Sequence, residues 1–217
     1  MTYWKDSVSI NLIQKKIKIQ SLSASQNDSE QTIKFWDNVR LIDSVSILTC
    51  KRLSYKKILN TVIAEQKVNY FLEKDSLLIV CDSFIYFYNE NECRLFRNIK
   101  INYQDYTIKC DSLYCYPDED SLEMFGKCLL LKDSLQITSG RIAVNRKTRK
   151  MLLTINPEMN YFRSFLSGEK MLIHIHEKTV DSIDIIDYAR GRLLEIDTLQ
   201  SDTTITKISG SLIKAGI

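Results

Sequence analysis

Apolar and polar residues alternate along most of the chain, and the alternating runs are rich in Ile, Val, Leu, Tyr and Thr. This period-two pattern is that of half-buried β-strands. Helical spacing is not sustained anywhere, so the pattern predicts an all-β chain.

The runs carry a repeat. One mark is Asp37-Asn38-Val39-Arg40-Leu41, Gln66-Lys67-Val68-Asn69-Tyr70, Arg97-Asn98-Ile99-Lys100-Ile101 and Gly126-Lys127-Cys128-Leu129-Leu130, each a polar or Gly pair running into a strand. Some 11 to 13 residues later comes a second mark: Leu48-Thr49-Cys50, Ile79-Val80-Cys81, Ile108-Lys109-Cys110 and Ile137-Thr138-Ser139. Both recur every 29 to 31 residues. Val39, Val68, Ile99, Cys128 and Met159 are therefore expected as successive rungs of one interior face, with a degenerate fifth copy starting at Asn156-Pro157-Glu158-Met159. Asp6-Ser7-Val8-Ser9-Ile10 repeats Asp43-Ser44-Val45-Ser46-Ile47 letter for letter.

Two strands per repeat give a solenoid-like stack of antiparallel strands in which each copy leans on its neighbours. The Asp-Ser pairs at 28, 43, 75, 82, 111, 120, 133 and 181 read mainly as turn punctuation between or at the ends of strands. The apolar residue at 48, 79, 108 and 137 lies two before Cys50, Cys81, Cys110 and Ser139, so each pair shares one inward strand face. Only Cys or Ser fills the second position, which points to a volume limit at a corner and to small size rather than thiol chemistry. The three cysteines are expected as a column of free thiols, with neighbouring rungs in disulfide range.

At these residues the chain resembles the OstA-like family, the LptA-type β-jellyroll (β-taco) proteins of lipopolysaccharide transport. The family repeat is loosely Gly-Asn-Val-x-apolar followed by apolar-x-Ala-Asp-x-apolar-x-Tyr. Asp37-Asn38-Val39, Arg97-Asn98-Ile99 and Gly126-Lys127-Cys128 match the first half. Ile79-Val80-Cys81-Asp82-Ser83-Phe84-Ile85-Tyr86 and Ile108-Lys109-Cys110-Asp111-Ser112-Leu113-Tyr114 match the second, with Cys for Ala. The likeness runs roughly from 17 to 214 and is clearest over 35 to 145. Ile208-Ser209-Gly210-Ser211-Leu212-Ile213-Lys214-Ala215 resembles a strand opening of the larger, Bacteroidetes-type members.

The resemblance implies a single jellyroll domain over 1–217, with 1–16 an N-terminal strand or extension. It also implies a periplasmic or outer-membrane-associated, non-enzymatic role without a cofactor, and end-to-end strand addition to other domains of the kind. The implied cargo is lipopolysaccharide or another envelope lipid. Its trough would be lined by Val39, Leu41, Leu48, Val68, Tyr70, Ile79, Phe84, Tyr86, Ile99, Ile101, Ile108, Leu113, Ile137 and Ile142. About a dozen buried acyl carbons would contribute roughly 10 kcal/mol before entropy costs. The alternative is a structural β-repeat domain that binds protein or glycan and carries no lipid.

Composition narrows these readings. The chain has 217 residues, 44% hydrophobic and 26% charged, an ordinary globular balance. A formal net charge of +3 argues against a nucleic-acid partner, which needs a concentrated basic excess. No apolar run reaches the length of a spanning helix. No secretory signal is visible at the start, and the chain stops after a strand-like alternation, so a fragment of a longer protein is expected.

The remaining chemistry reads as structural. Arg146, Lys147, Arg149 and Lys150 sit in a predicted turn and suit either lipid head-group phosphates or edge protection. His174 and His176 would share a strand face near Glu177 and Asp181, but no third and fourth zinc ligand is spaced for them, so no metal is expected. The six cysteines lie in no nucleophile signature. Asp118, Glu119 and Asp120 form a turn beside Pro117 rather than a glycosidase carboxylate pair. Tyr86, Phe87 and Tyr88, with Tyr114 and Tyr116, are expected to stack across rungs.

Overall fold

The computed structural model describes residues 1–12, 17–73, 76–162, 164–176, 179–197 and 202–216. The chain divides into two compact units, Met1–Thr107 with Ser112–Pro117, and Ile108–Asp111 with Asp118–Ile217. Among the described residues there is no α-helix, and the fold is a repetitive antiparallel β-jellyroll array.

The first unit holds β1 (Thr2–Leu12), β2 (Ile17–Asn27), β3 (Thr32–Ile42), β4 (Ser46–Lys56), β5 (Thr61–Leu72), β6 (Leu77–Phe87), β7 (Glu92–Tyr103) and much of β8 (Tyr106–Tyr116). From β1 to β7 each strand pairs antiparallel with the next in sequence. Every pairing has a register shift near its middle, as between Trp36 and Val39, Glu65 and Val68, and Val80 and Ser83.

These shifts are corners. On the odd strands two consecutive residues take left-handed backbone: Asp6-Ser7, Asp37-Asn38, Gln66-Lys67 and Arg97-Asn98. That conformation costs an L-residue about 1 to 2 kcal/mol, least for Asn and Asp. The polar pairs of the repeat therefore do not open strands, as their sequence suggested; they bend continuous strands of 11 or 12 residues at midlength. On the even strands the corner falls after Ser21, Cys50 and Cys81, all buried. Asp82-Ser83 in β6, Asp111-Ser112 in β8 and Asp181-Ser182 in β15 (Thr179–Asp197) are thus strand residues, whereas Asp28-Ser29, Asp43-Ser44 and Asp133-Ser134 do turn the chain.

Each corner interrupts the alternation of inward residues, and on the even strands it shifts their parity. On β3 the buried residues run Ile33, Phe35, then Val39, Leu41; on β4 they run Leu48, Cys50, then Leu53. The step of three or four at the corner keeps both halves of the strand buried on one side. The halves form two arms: arm A carries Val39, Leu41, Leu48, Val68, Tyr70, Ile79, Ile99 and Ile101, and arm B carries Phe35, Leu53, Ala64, Phe84, Tyr86, Leu95 and Leu113.

The duplicated pentapeptide does not occupy equivalent places. Asp6-Ser7 is a corner of β1, whereas Asp43-Ser44-Val45 is the hairpin turn before β4. In the turn, the Asp43 carboxylate accepts hydrogen bonds from the Val45 and Ser46 amides at 2.8 and 2.7 Å and from the Ser46 hydroxyl at 2.7 Å. Strand pairing, not the five letters, selects the conformation.

The second unit holds β9 (Ser121–Lys132), β10 (Leu135–Asn145), β11 (Lys150–Thr154), β12 (Glu158–Tyr161), β13 (Ser164–Ser167), β14 (Lys170–His176), β15 and β16 (Asp202–Gly216). It starts with the same corner, Gly126-Lys127 on β9 facing Ser139 on β10. A Cβ on Gly126 would run into the Asp111 side chain, and glycine also adopts the positive φ of this position without strain. Beyond β10 the strands break. β10 pairs with both β11 and β12, β11 with β14, β12 with β13, and β13 and β14 with β15, which pairs with β16. The break falls at Ile155-Asn156, again left-handed, followed by Pro157. Met159 therefore does not take the rung expected of it. Cys128 lies opposite Ser139, but Met159 lies opposite Ile137, as Leu130 does, and buried Pro157 occupies the position after the pair.

Candidate functional site

The interior of the first unit is the candidate site. The inward positions next to the corner are buried, and on several strands the next inward positions toward the tips are less so, although Ser46, Thr61 and Val62 stay buried at theirs. Val39 is 1% exposed and Leu41 7%; Val68 is fully buried and Tyr70 half-buried. Leu53 and Leu113 are 1% exposed, whereas Tyr55, Tyr86 and Cys115, one step further out, are half-buried. Leu48, Ile79, Phe84, Ile99 and Ile101 are buried between these limits.

The arms meet at their inner faces. Tyr70 of arm A stacks on Phe84 of arm B, with ring centroids 5.7 Å apart and planes 14° from parallel. Tyr86 meets Tyr88 edge-on at 4.6 Å. The phenols at the tips are satisfied: Tyr55 donates to the Asn60 side-chain oxygen at 3.2 Å and Tyr86 to that of Asn91 at 2.6 Å. Burial pushes the Tyr70 and Tyr88 hydroxyls above their ordinary range, so both stay neutral. The interior thus has an aliphatic floor and a rim of phenols, a surface suited to an apolar chain with a polar end.

The corner has its own chemistry. Ser21 donates to the Ser23 carbonyl at 2.9 Å, Cys50 to that of Arg52 at 3.1 Å, Cys81 to that of Ser83 at 3.3 Å and Ser139 to that of Arg141 at 2.8 Å. Ser and Cys share small size and a donor, which Ala lacks, and the donor reaches a backbone carbonyl across the bend. Burial pushes Cys50, Cys81 and Cys110 up to about 12 and Cys128 to about 11, so these thiols are protonated and unreactive at neutral pH. The expectation of neighbouring corner thiols in disulfide range fails for Cys50 and Cys81. They lie on β4 and β6 with β5 between them, about 9.6 Å apart by strand spacing and beyond disulfide reach.

In the second unit, Ile137 and Ile142 are buried and Ile108 is half-buried. The basic cluster lies in the turn between β10 and β11 and at the start of β11, fully in solvent. Arg146 pairs with Asp120 at 2.5 Å, and the Lys147 ammonium donates to the Asp118 carbonyl at 2.7 Å. Half of the basic group is thus tied to the acidic turn, which contains a short 3-10 helix at Pro117–Glu119; Arg149 and Lys150 stand exposed beside them. His174 lies 3.6 Å from Asp184, and the side chain of His176 lies outside the described residues, as does Glu177. Among the described residues no group of three or more His, Cys, Asp or Glu could hold a metal ion.

The aromatic string is divided between the faces. Phe96 meets Tyr114 edge-on at 6.0 Å, and the Arg94 guanidinium lies over Phe87 and Tyr114 at 5.0 and 5.5 Å. Sequence reasoning missed the arm B residues Phe35, Leu53, Ala64 and Leu95, all at most 1% exposed. The signal was present: Lys51-Arg52 and Trp36-Asp37-Asn38 interrupt the alternation at the corner, and a count carried across Lys51-Arg52 reverses the faces.

This architecture defines an open-ended class of antiparallel jellyroll built from bent strands. Among solved structures the chain resembles LptH from Pseudomonas aeruginosa, the LptA-homologous periplasmic component of the lipopolysaccharide transport device. The TM-score is 0.51 at 14% identity, over 55% of this chain and 96% of that one. The likeness is one of fold. No protein-family profile and no curated protein sequence matches the chain.

Proposed function

We propose that this chain is a non-enzymatic envelope protein that binds or bridges lipopolysaccharide, or another envelope lipid, on its way to the outer membrane. The observation that carries the reading is a buried aliphatic floor bordered by the half-buried phenols Tyr55, Tyr70, Tyr86 and Tyr88, which gives an acyl chain an apolar surface and its polar end a set of hydroxyls. Val39, Leu41, Leu48, Val68, Tyr70, Ile79, Phe84, Tyr86, Ile99, Ile101 and Leu113 would line the lipid in the first unit, and Ile108, Ile137 and Ile142 in the second. Arg149 and Lys150, with Arg146 and Lys147, would meet head-group phosphates. The LptH-like fold supports a periplasmic or outer-membrane-associated place. Among the described residues β1 pairs only with β2, which leaves an edge for end-to-end strand addition from a sister jellyroll.

One observation favours a second reading. The Tyr70–Phe84 stack joins the arms across the interior, as a sealed core would. In that case the chain is a structural β-repeat domain with protein or glycan partners and no lipid. A photo-crosslinking residue at position 84 or at exposed Lys109, irradiated in lipopolysaccharide-containing cells, separates the two. Lipid adducts from position 84 support the trough; adducts from position 109 alone would transfer the conclusion to the structural reading.

A further inference from the structure

Two cysteines do not belong to the corner. Cys93, in β7, and Cys115, in β8, lie at the half-buried tip of arm B in the first unit. They take the places held one repeat earlier by Val62 and Tyr86, which are direct Cα partners across β5 and β6. Residues directly opposite in an antiparallel pair have Cα atoms about 4.5 to 5.5 Å apart, within the span that a disulfide bridges. The two thiols are near enough to interact directly, and Cys93 also lies opposite Tyr86 on its other side. Cys50 and Cys81, by contrast, each donate to the carbonyl two residues on.

We infer that Cys93 and Cys115 are a redox pair that closes into a cross-strand disulfide by exchange with a disulfide oxidant, tying β7 to β8 at the rim of the interior. The inference does not depend on a lipid cargo. Exchange starts at one thiol of the pair, for example Cys115. Its thiolate displaces one sulfur of R–S–S–R, forming a mixed disulfide and releasing R–S⁻, which takes up the proton Cys115 gave. Cys93 then loses its proton and attacks the Cys115 sulfur, and the second R–S⁻ leaves and takes that proton. Two cysteine thiols are oxidised and one external disulfide is reduced to two R–SH.

Cys110 and Cys128 provide an internal comparison. They are also close enough to interact, but they are 5% and 1% exposed at the corner and closed to an oxidant. The folded chain is incubated in glutathione buffers of rising oxidised fraction, quenched in acid, denatured, alkylated and weighed. The expected product is lighter than the reduced chain by two hydrogens before alkylation. It carries label on Cys50, Cys81, Cys110 and Cys128, gives fragment ions joining Cys93 to Cys115, and reverts with dithiothreitol. In C93S, Cys115 should stop at a glutathione adduct. Six labelled cysteines in the most oxidising buffer would overturn the inference. Separate glutathione adducts on Cys93 and Cys115 of the unsubstituted chain would overturn it too, as would a Cys110–Cys128 cross-link forming as readily.

Discussion

The two units start from the same corner and treat it differently. In the first, a left-handed polar pair on each odd strand is followed by Val39, Val68 or Ile99, and every strand runs unbroken through the bend. In the second, β9 and β10 follow that plan, but at the next corner the pair is Ile155-Asn156 and the following residue is Pro157. Proline has no amide to give the ladder, and a β-branched residue is poorly suited to left-handed backbone. The strand divides into β11 and β12, its neighbour divides into β13 and β14 at Gly168, and β10 and β15 span the gaps. A cleft of about 460 Å³ opens there, lined by residues that include Pro157, Gly168, Tyr188 and Arg190. The repeat thus tolerates the loss of a corner, provided that the strands on either side remain whole.

If the units differ only at that corner, their cores should be equally costly to damage. Leu95 and Leu153 are both fully buried, one in each unit. Leu95→Ala and Leu153→Ala are each expected to cost about 2 to 5 kcal/mol in urea unfolding. A cost below about 1 kcal/mol for Leu153→Ala alone would mean that the broken strands leave a looser core, and the comparison would have to extend beyond the corner.

Substitution at the corner itself should be graded by volume and by donor. Cys81→Leu is expected to lose about 1 to 3 kcal/mol through overpacking. Cys81→Ser should change stability by less than about 1 kcal/mol, because serine keeps the donor, as Ser21 and Ser139 show at the equivalent positions. The thermal midpoints of the two variants check this. Equal loss in both would show that sulfur, rather than size and a donor, is what the corner needs.

How much of this was legible depends on the scale of the feature. The strand class, the repeat and the inward set Val39, Val68, Ile99, Leu48 and Ile79 follow from alternation within one arm, where parity is constant. The corner hid the rest. Phe35 and Leu95 were lost because the left-handed pair and the residue before it put three unburied positions in a row, which breaks off the alternation although parity is kept, and Met159 was misplaced because Pro157 fills the rung without resembling Val39 chemically. The identical pentapeptides at 6 and 43 mark the limit: the same letters bend a strand in one place and close a hairpin in the other, and only the pairing partner distinguishes them. Most of the trough residues were readable as buried, Tyr70, Tyr86 and Ile108 being half-buried, but burial alone does not distinguish a lipid surface from a sealed core, and the Tyr70–Phe84 stack lies across arms that no local pattern connects.

The thiols make the corners sensitive to alkali in both units. Burial raises Cys50, Cys81 and Cys110 from 9.0 to about 12 and Cys128 from 9.0 to about 11. Below pH 9 these groups are protonated whether the chain is folded or unfolded, and their contribution is fully present. Above it the unfolded chain loses protons that the folded chain keeps. Stability should therefore fall from pH 9 up to the folded values, by about 1.4 kcal/mol per pH unit for each thiol. Cys50 and Cys81 stand in one unit and Cys110 and Cys128 in the other, so Cys81→Ser and Cys110→Ser should reduce the slope equally. Urea midpoints between pH 8 and 11 measure it.

The smallest effect expected is the most direct test of why the second unit breaks. Ile155 has φ 68° and is 62% exposed, so its side chain contributes little packing while its β-branch opposes the backbone it must adopt. The corresponding residues in the first unit are Asp37, Gln66 and Arg97, with Asn38, Lys67 and Asn98 after them. Asn tolerates left-handed backbone better than Ile, and unlike glycine it adds little freedom to the unfolded chain. Ile155→Asn should therefore raise stability by up to about 1 kcal/mol, and Asn38→Ile should lower it by about 1 to 2 kcal/mol. Opposite signs for the two substitutions would place the strain in the pair itself. A loss for Ile155→Asn would assign the break to Pro157 and to contacts that Ile155 makes over Gly140, where a Cβ would meet its side chain at 2.7 Å.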